Sequence, residues 1–128
     1  MAYFMLWVEL ENSMRKFFLL VALSFLSQEA IAQEIDYRGG LSGKEVAYAR
    51  NNIDGLAVRL NDPKSAVFED VFVSRKAGPP VVCGLVNAKN SFGGYAGRER
   101  FVVAGDLSVF ESEMGLGEMQ KLWRQVCE

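Results

Sequence analysis

The chain has 128 residues, 14 of them basic and 16 acidic, with a net charge of −2. That length predicts one domain, and the charge balance argues against a nucleic-acid partner held by a basic surface. Half of the residues are hydrophobic and none is histidine, which excludes disorder as well as Ser-His-Asp or Cys-His catalysis and His-ligated zinc or haem.

The hydrophobicity is concentrated at the front, with 22 of the first 32 residues apolar against 42 of the other 96. Met14-Arg15-Lys16, the apolar run Phe17 to Leu26, and the small residues of Ala30-Ile31-Ala32 form the three parts of a secretory signal peptide. The predicted signal spans 14–32 and is cut after Ala32. Residues 1–13 hold a second apolar patch with Glu9 and Glu11. They read as an upstream extension, with translation starting at Met14; a long n-region is the alternative. The apolar run falls short of the ~20 residues that cross a bilayer, and no cysteine follows it for lipid attachment. The expected product is a single domain, 33–128, periplasmic or secreted, with no stable membrane anchor after cleavage.

In that domain, residues 33–41 read as a lead-in. Ser42-Gly43-Lys44-Glu45 has the spacing of a capping box. Val46, Ala49, Ile53, Leu56 and Leu60 then recur at helical spacing, predicting an amphipathic helix over 43–60 that stops before Pro63. Asp62-Pro63-Lys64-Ser65 reads as a turn. Val67 to Arg75 reads as a strand, with Val71, Val73 and Arg75 on one face and Phe72 and Ser74 on the other. Phe68 is out of phase, which signals a bulge or an earlier strand edge. Further strands are predicted at 81–86, 100–104 and 107–110, with Gly105-Asp106 as a turn. Met119, Leu122, Trp123 and Val126 mark a C-terminal helix over 117–127. The expectation is an α+β fold: an N-terminal helix, three to four antiparallel strands and a C-terminal helix, with the helices on one sheet face.

Cys83 and Cys127 are the only cysteines. An even count in an exported chain favours a disulfide; two free buried thiols are the alternative. No CxxC redox motif is present, and no metal or cofactor site is expected.

The segment Val82 to Val102 crowds polar, basic and aromatic residues among glycines. Its candidate partner-binding residues are Asn87, Lys89, Asn90, Ser91, Phe92, Tyr95, Arg98 and Arg100. Gly93-Gly94 reads as a two-residue hairpin turn, with Phe92 and Tyr95 flanking it and pairing across the strands. The segment is either a hairpin only or a hairpin that also binds. It matches neither phosphate-binding glycine motif.

The pattern Leu60-x-Asp62-Pro63-x-Ser65-Ala66-x-Phe68-x-x-Val71, followed by Val82-Cys83-Gly84-x-Val86-Asn87-Ala88-Lys89-Asn90-Ser91-Phe92-Gly93-Gly94-Tyr95-x-Gly97-x-x-x-Phe101, resembles a group of small exported proteins of proteobacteria and some prophages. The likeness covers about residues 43–104. Unlike the group's lipidated members, this chain lacks a lipid-attachment cysteine. The resemblance implies export and bacterial origin, and no particular reaction.

The leading functional expectation is a non-enzymatic binding or accessory domain of the bacterial envelope, whose partner is an envelope protein or a peptidoglycan component. One alternative is a cell-wall glycan hydrolase using two of Glu69, Asp70, Glu99 and Asp106. Another is an inhibitor of lysozyme or of a protease. No catalytic residue is assigned, because no nucleophile–base motif is present.

Overall fold

A computed structural model describes residues 33–128 and, ahead of them, Met14 and Lys16. The upstream extension at 1–13, the signal peptide over 14–32 and its cleavage point otherwise lie outside the described residues. The 33–128 unit runs β1 (Glu34–Tyr37), α1 (Gly43–Ala57), β2 (Val67–Ser74), β3 (Val81–Asn87), β4 (Glu99–Ala104), β5 (Leu107–Phe110) and α2 (Glu118–Val126). Short 3₁₀ turns at Pro63–Ser65 and Glu111–Glu113 precede β2 and follow β5.

The strands form one sheet in the order β1-β2-β3-β4-β5. β1 pairs with β2 in parallel and every other pair is antiparallel. The sheet therefore has five strands rather than three or four, and it is mixed rather than antiparallel. The lead-in supplies the extra strand. Its four residues, Glu-Ile-Asp-Tyr, alternate exposed and half-buried. Ile35 and Tyr37 pack on the core.

The helix before β2 starts as its sequence dictates. The Glu45 amide donates to the Ser42 hydroxyl at 3.3 Å, and the Ser42 amide donates to the Glu45 carboxylate at 2.8 Å, satisfying two otherwise orphaned donors. The helix ends a turn earlier than predicted. Arg59 and Leu60 donate three residues back, to Leu56 and Ala57, a tightening common where a helix terminates.

Alternation along the strands divides the core in two. Phe68, Val71, Val82, Val86, Phe101 and Val103 face Ala49, Ile53, Leu56 and Ala57 of α1. Phe72, Val81, Cys83 and Val102 face the other way, toward Met119, Leu122 and Trp123 of α2. Because neighbouring strand residues point to opposite faces, the helices cover opposite sides of the sheet and not the one face expected. Each large apolar side chain buried in this way contributes about 1.5–3 kcal/mol.

Two local features shape the sheet. Glu69 lies opposite Leu85 and Phe72 opposite Cys83, so β2 carries one extra residue, a β-bulge. Asp70 takes it up at φ +50°, a conformation that aspartate tolerates better than most residues. This is the phase break that Phe68 signals in the sequence. On β3, Gly84 lies beneath the Phe101 ring: a Cβ there would stand 2.9 Å from the ring. Phe101 in turn meets Phe68 edge to face, with centroids 5.5 Å apart.

Cys83 and Cys127 form the disulfide, with both residues buried. It joins the end of α2 to the middle of the sheet. A covalent bridge of this kind is characteristic of oxidising compartments outside the cytosol. Among the described residues, no helix is long and apolar enough to cross a membrane.

Candidate binding hairpin and the cavity at its base

The chain between β3 and β4 forms a protruding hairpin built on its own polar groups. Beyond β3, Lys89 and Tyr95 pair across the hairpin. The Asn90 amide donates to the Gly94 carbonyl at 2.8 Å, and the Gly93 amide donates to the Asn90 carbonyl at 3.0 Å. The loop is therefore Ser91-Phe92-Gly93, with Gly93 at φ +83°, and not a two-residue Gly-Gly turn. A three-residue loop closing on a left-handed glycine is a common hairpin geometry. Phe92 and Tyr95 do not pair across the strands.

Side chains brace the hairpin from inside. The Asn90 Oδ1 accepts from the amides of Phe92 (3.0 Å) and Gly94 (3.3 Å). The Asn87 Oδ1 accepts from the Gly97 amide at 3.1 Å. From the turn before β2, the Ser65 hydroxyl accepts from the Lys89 amide at 2.9 Å. The Tyr95 hydroxyl donates to the Ser65 carbonyl at 3.2 Å. The Lys89 ammonium lies 5.7 Å from the Tyr95 ring centroid. Sequence reasoning did not single out Ser65 for a role, although the short Asp-Pro-x-Ser turn, with its free hydroxyl, carries that signal.

The candidate residues therefore divide by position. Phe92 is 96% exposed at the tip, beside exposed Ser91, and Tyr95 is 53% exposed below it. Asn87 and Asn90 spend their carbonyl oxygens on the loop. Arg98 pairs with Glu69, its Nε lying 2.6 Å from the carboxylate. Arg100 does not join the hairpin. It stands on the α2 side of β4 and grips both oxygens of Glu111, at 2.7 and 3.2 Å. It also donates to Gln120 at 2.7 Å and faces the Trp123 ring.

The carboxylates have settled tasks. The Arg100 guanidinium and main-chain amide hold the Glu111 carboxyl below its ordinary range. Arg38 grips Asp70 in a bidentate pair at 2.8 and 2.6 Å, which lowers the Asp70 carboxyl and raises the arginine. Asp70 is thereby poorly suited to donate a proton. Asp106 lies exposed in the β4–β5 turn. Glu99 accepts from the Ser112 amide at 2.8 Å.

A cavity of about 210 Å³ lies at the hairpin's base, between the chain after α1 and the 3₁₀ turn after β5. Its apolar wall includes Leu60, Val86, Ala88 and Phe110, and its polar wall includes Arg59, Glu99 and Glu113. Arg59 pairs with Glu113, donates to Ser108 and lies over the Phe110 ring. Sequence reasoning reached Glu99 but not Arg59, Phe110 or Glu113, which only the fold brings to this place. Among the described residues, no cluster of metal-ligating side chains is present.

Fold and site together define a small disulfide-bridged α+β domain that presents a braced aromatic hairpin. No protein-family model, curated protein or solved structure matches the chain.

Proposed function

We propose that this is an exported accessory domain of the bacterial envelope that binds a partner through the 87–98 hairpin, with Phe92 as its anchor. In this reading 14–32 is the signal peptide, cleavage follows Ala32, and the product works in the periplasm or outside the cell. The resemblance to small exported proteobacterial and prophage proteins belongs to the same proposal. The disulfide supports the compartment.

The single observation that carries the binding role is Phe92, 96% exposed at the tip of a hairpin held by side-chain hydrogen bonds. An exposed phenyl ring is unfavourable in water and gains on burial in a complex. A loop already in its bound shape loses little conformational freedom on association. The convex tip favours a partner with a concave apolar site. A protein cleft fits that shape better than a glycan strand does. The same shape favours a second reading, in which the tip occupies the active-site cleft of a lysozyme or protease.

The test is affinity capture from envelope extracts with wild type, Phe92→Ala and Tyr95→Ala, beside sedimentation with purified peptidoglycan sacculi. The proposal expects one partner captured by wild type and lost at least tenfold in Phe92→Ala, with unchanged thermal melting. Identical capture by all three proteins contradicts it. Titration into lysozyme and protease assays checks the second reading, which unaffected rates would remove.

A further inference from the structure

We infer that the cavity at the hairpin's base is a binding site for a primary ammonium group carried on a short aliphatic stem. This goes beyond the hairpin's role and does not rest on it. The cavity volume of about 210 Å³ is more than ten times the roughly 10–15 Å³ that one water requires. A small organic group therefore fits.

The wall carries two cations, Arg59 and Lys89, and two carboxylates, Glu99 and Glu113. Arg59 and Glu113 neutralise each other as an ion pair. Lys89 also borders the cavity, but its ammonium sits by the Tyr95 ring, which is not part of the wall. Glu99 is half-buried. Among the described residues it has no basic partner within ion-pair distance, whereas Glu69, Asp70, Glu111, Glu113 and Glu128 each have one. One Glu99 oxygen accepts from the Ser112 amide. The other has no partner among the described residues and remains able to accept.

A carboxylate with one free oxygen and no counter-ion attracts a cation beside it. The Leu60, Val86 and Ala88 wall favours hydrocarbon next to that cation. An ammonium on an aliphatic stem supplies both: the side chain of a lysine in a peptide, or a comparable diamino acid. The planar face of Phe110 is already covered by Arg59, which leaves the point charge at Glu99 as the main recognition element.

The test is an amide chemical-shift titration of the folded domain with N-acetyl-lysine amide, whose ends are neutral, against N-acetyl-norleucine amide, which lacks the ammonium. The inference expects saturable shifts at Gly97, Glu99 and Ser112 with the lysine probe and at least tenfold weaker binding of the norleucine probe. Glu99→Gln retains an oxygen that can accept from the Ser112 amide, so the fold is preserved, and it should weaken lysine binding at least tenfold. Phe92→Ala should bind the probe as wild type does, which separates this site from the hairpin tip. Absence of saturable shifts, equal affinity for the two probes, undiminished binding to Glu99→Gln, or loss of binding in Phe92→Ala would each overturn the inference.

Discussion

The Ser65 hydroxyl accepts the main-chain N–H of Lys89 at 2.9 Å, which ties the turn before β2 to the root of the hairpin. The same hydroxyl donates to the Asp62 carbonyl at 2.8 Å, and the Ser65 carbonyl accepts from Tyr95. Two stretches of sequence more than twenty residues apart, Asp-Pro-x-Ser and Asn-Ala-Lys-Asn-Ser-Phe-Gly-Gly-Tyr, thus form one structural unit. The hairpin's rigidity depends on a residue outside it.

Ser65→Ala should therefore loosen the hairpin more than it destabilises the domain. It strands one half-buried donor, at a cost of about 1–3 kcal/mol. Amide hydrogen exchange should accelerate at Lys89 more than at the β3 and β4 core amides. Unchanged exchange at Lys89 would show that the bond does not brace the loop.

Gly84 leaves no room for a side chain beneath the Phe101 ring. Gly84→Ala places a methyl 2.9 Å from the Phe101 ring and 3.2 Å from the Glu69 carbonyl. Overpacking of this kind costs about 1–3 kcal/mol. Urea denaturation should show a lower midpoint with an unchanged slope; an unaltered midpoint would mean that the ring shifts freely.

The disulfide closes a separation of 44 residues, for which the chain-entropy model gives stabilisation of about 4 kcal/mol. The Cys83→Ala, Cys127→Ala double variant should lose about 2–4 kcal/mol. Its α2 amides should exchange before those of β3, because the helix holds the sheet mainly through Met119, Leu122, Trp123 and the bridge. Simultaneous exchange of α2 and the sheet would contradict that order.

The Arg100–Glu111 pair sets a pH dependence whose sign is fixed. The Glu111 carboxyl titrates lower in the fold than in the unfolded chain. Its contribution is full above the ordinary glutamate value of about 4.3 and is lost as pH falls through the lower folded value. Thermal melting should separate wild type from Glu111→Gln at pH 7, and the gap should narrow below about pH 4. Because Glu111 is 39% exposed, solvent screening keeps that gap small. A gap that widens on acidification would reverse the assignment.

Where local pattern decided the structure, the sequence was legible. The stripe from Val46 to Leu60 placed α1, the Ser42–Glu45 spacing placed its cap, and the out-of-phase Phe68 marked the bulge at Asp70. The pairing of Cys83 with Cys127 was the favoured reading of an even cysteine count, with two free thiols as its alternative, and the structure shows the disulfide. Three features escaped because they depend on distant partners. β1 is four residues with two acids, and only its parallel contact with β2 and the Arg38–Asp70 pair make it a strand. The helices lie on opposite faces because Cys83 and Val82 point in opposite directions, which no single stripe reveals. The hairpin loop starts two residues earlier and ends one earlier than the Gly-Gly pair predicts, because the carbonyl oxygen of the Asn90 side chain and the left-handed Gly93 set its length. Of the candidate site, the aromatic tip was legible; the cavity was not, because its walls come from four separate segments.

The most direct test of the binding role is site-specific photo-crosslinking in the native envelope, with the reactive group at position 92 or at position 107. Leu107 is also exposed, at 68%, but lies at the far end of the sheet beside the β4–β5 turn. The account predicts a discrete adduct from position 92 that is absent from position 107 and reduced by Ser65→Ala. Adducts of equal yield from both positions, or none from position 92, would contradict it.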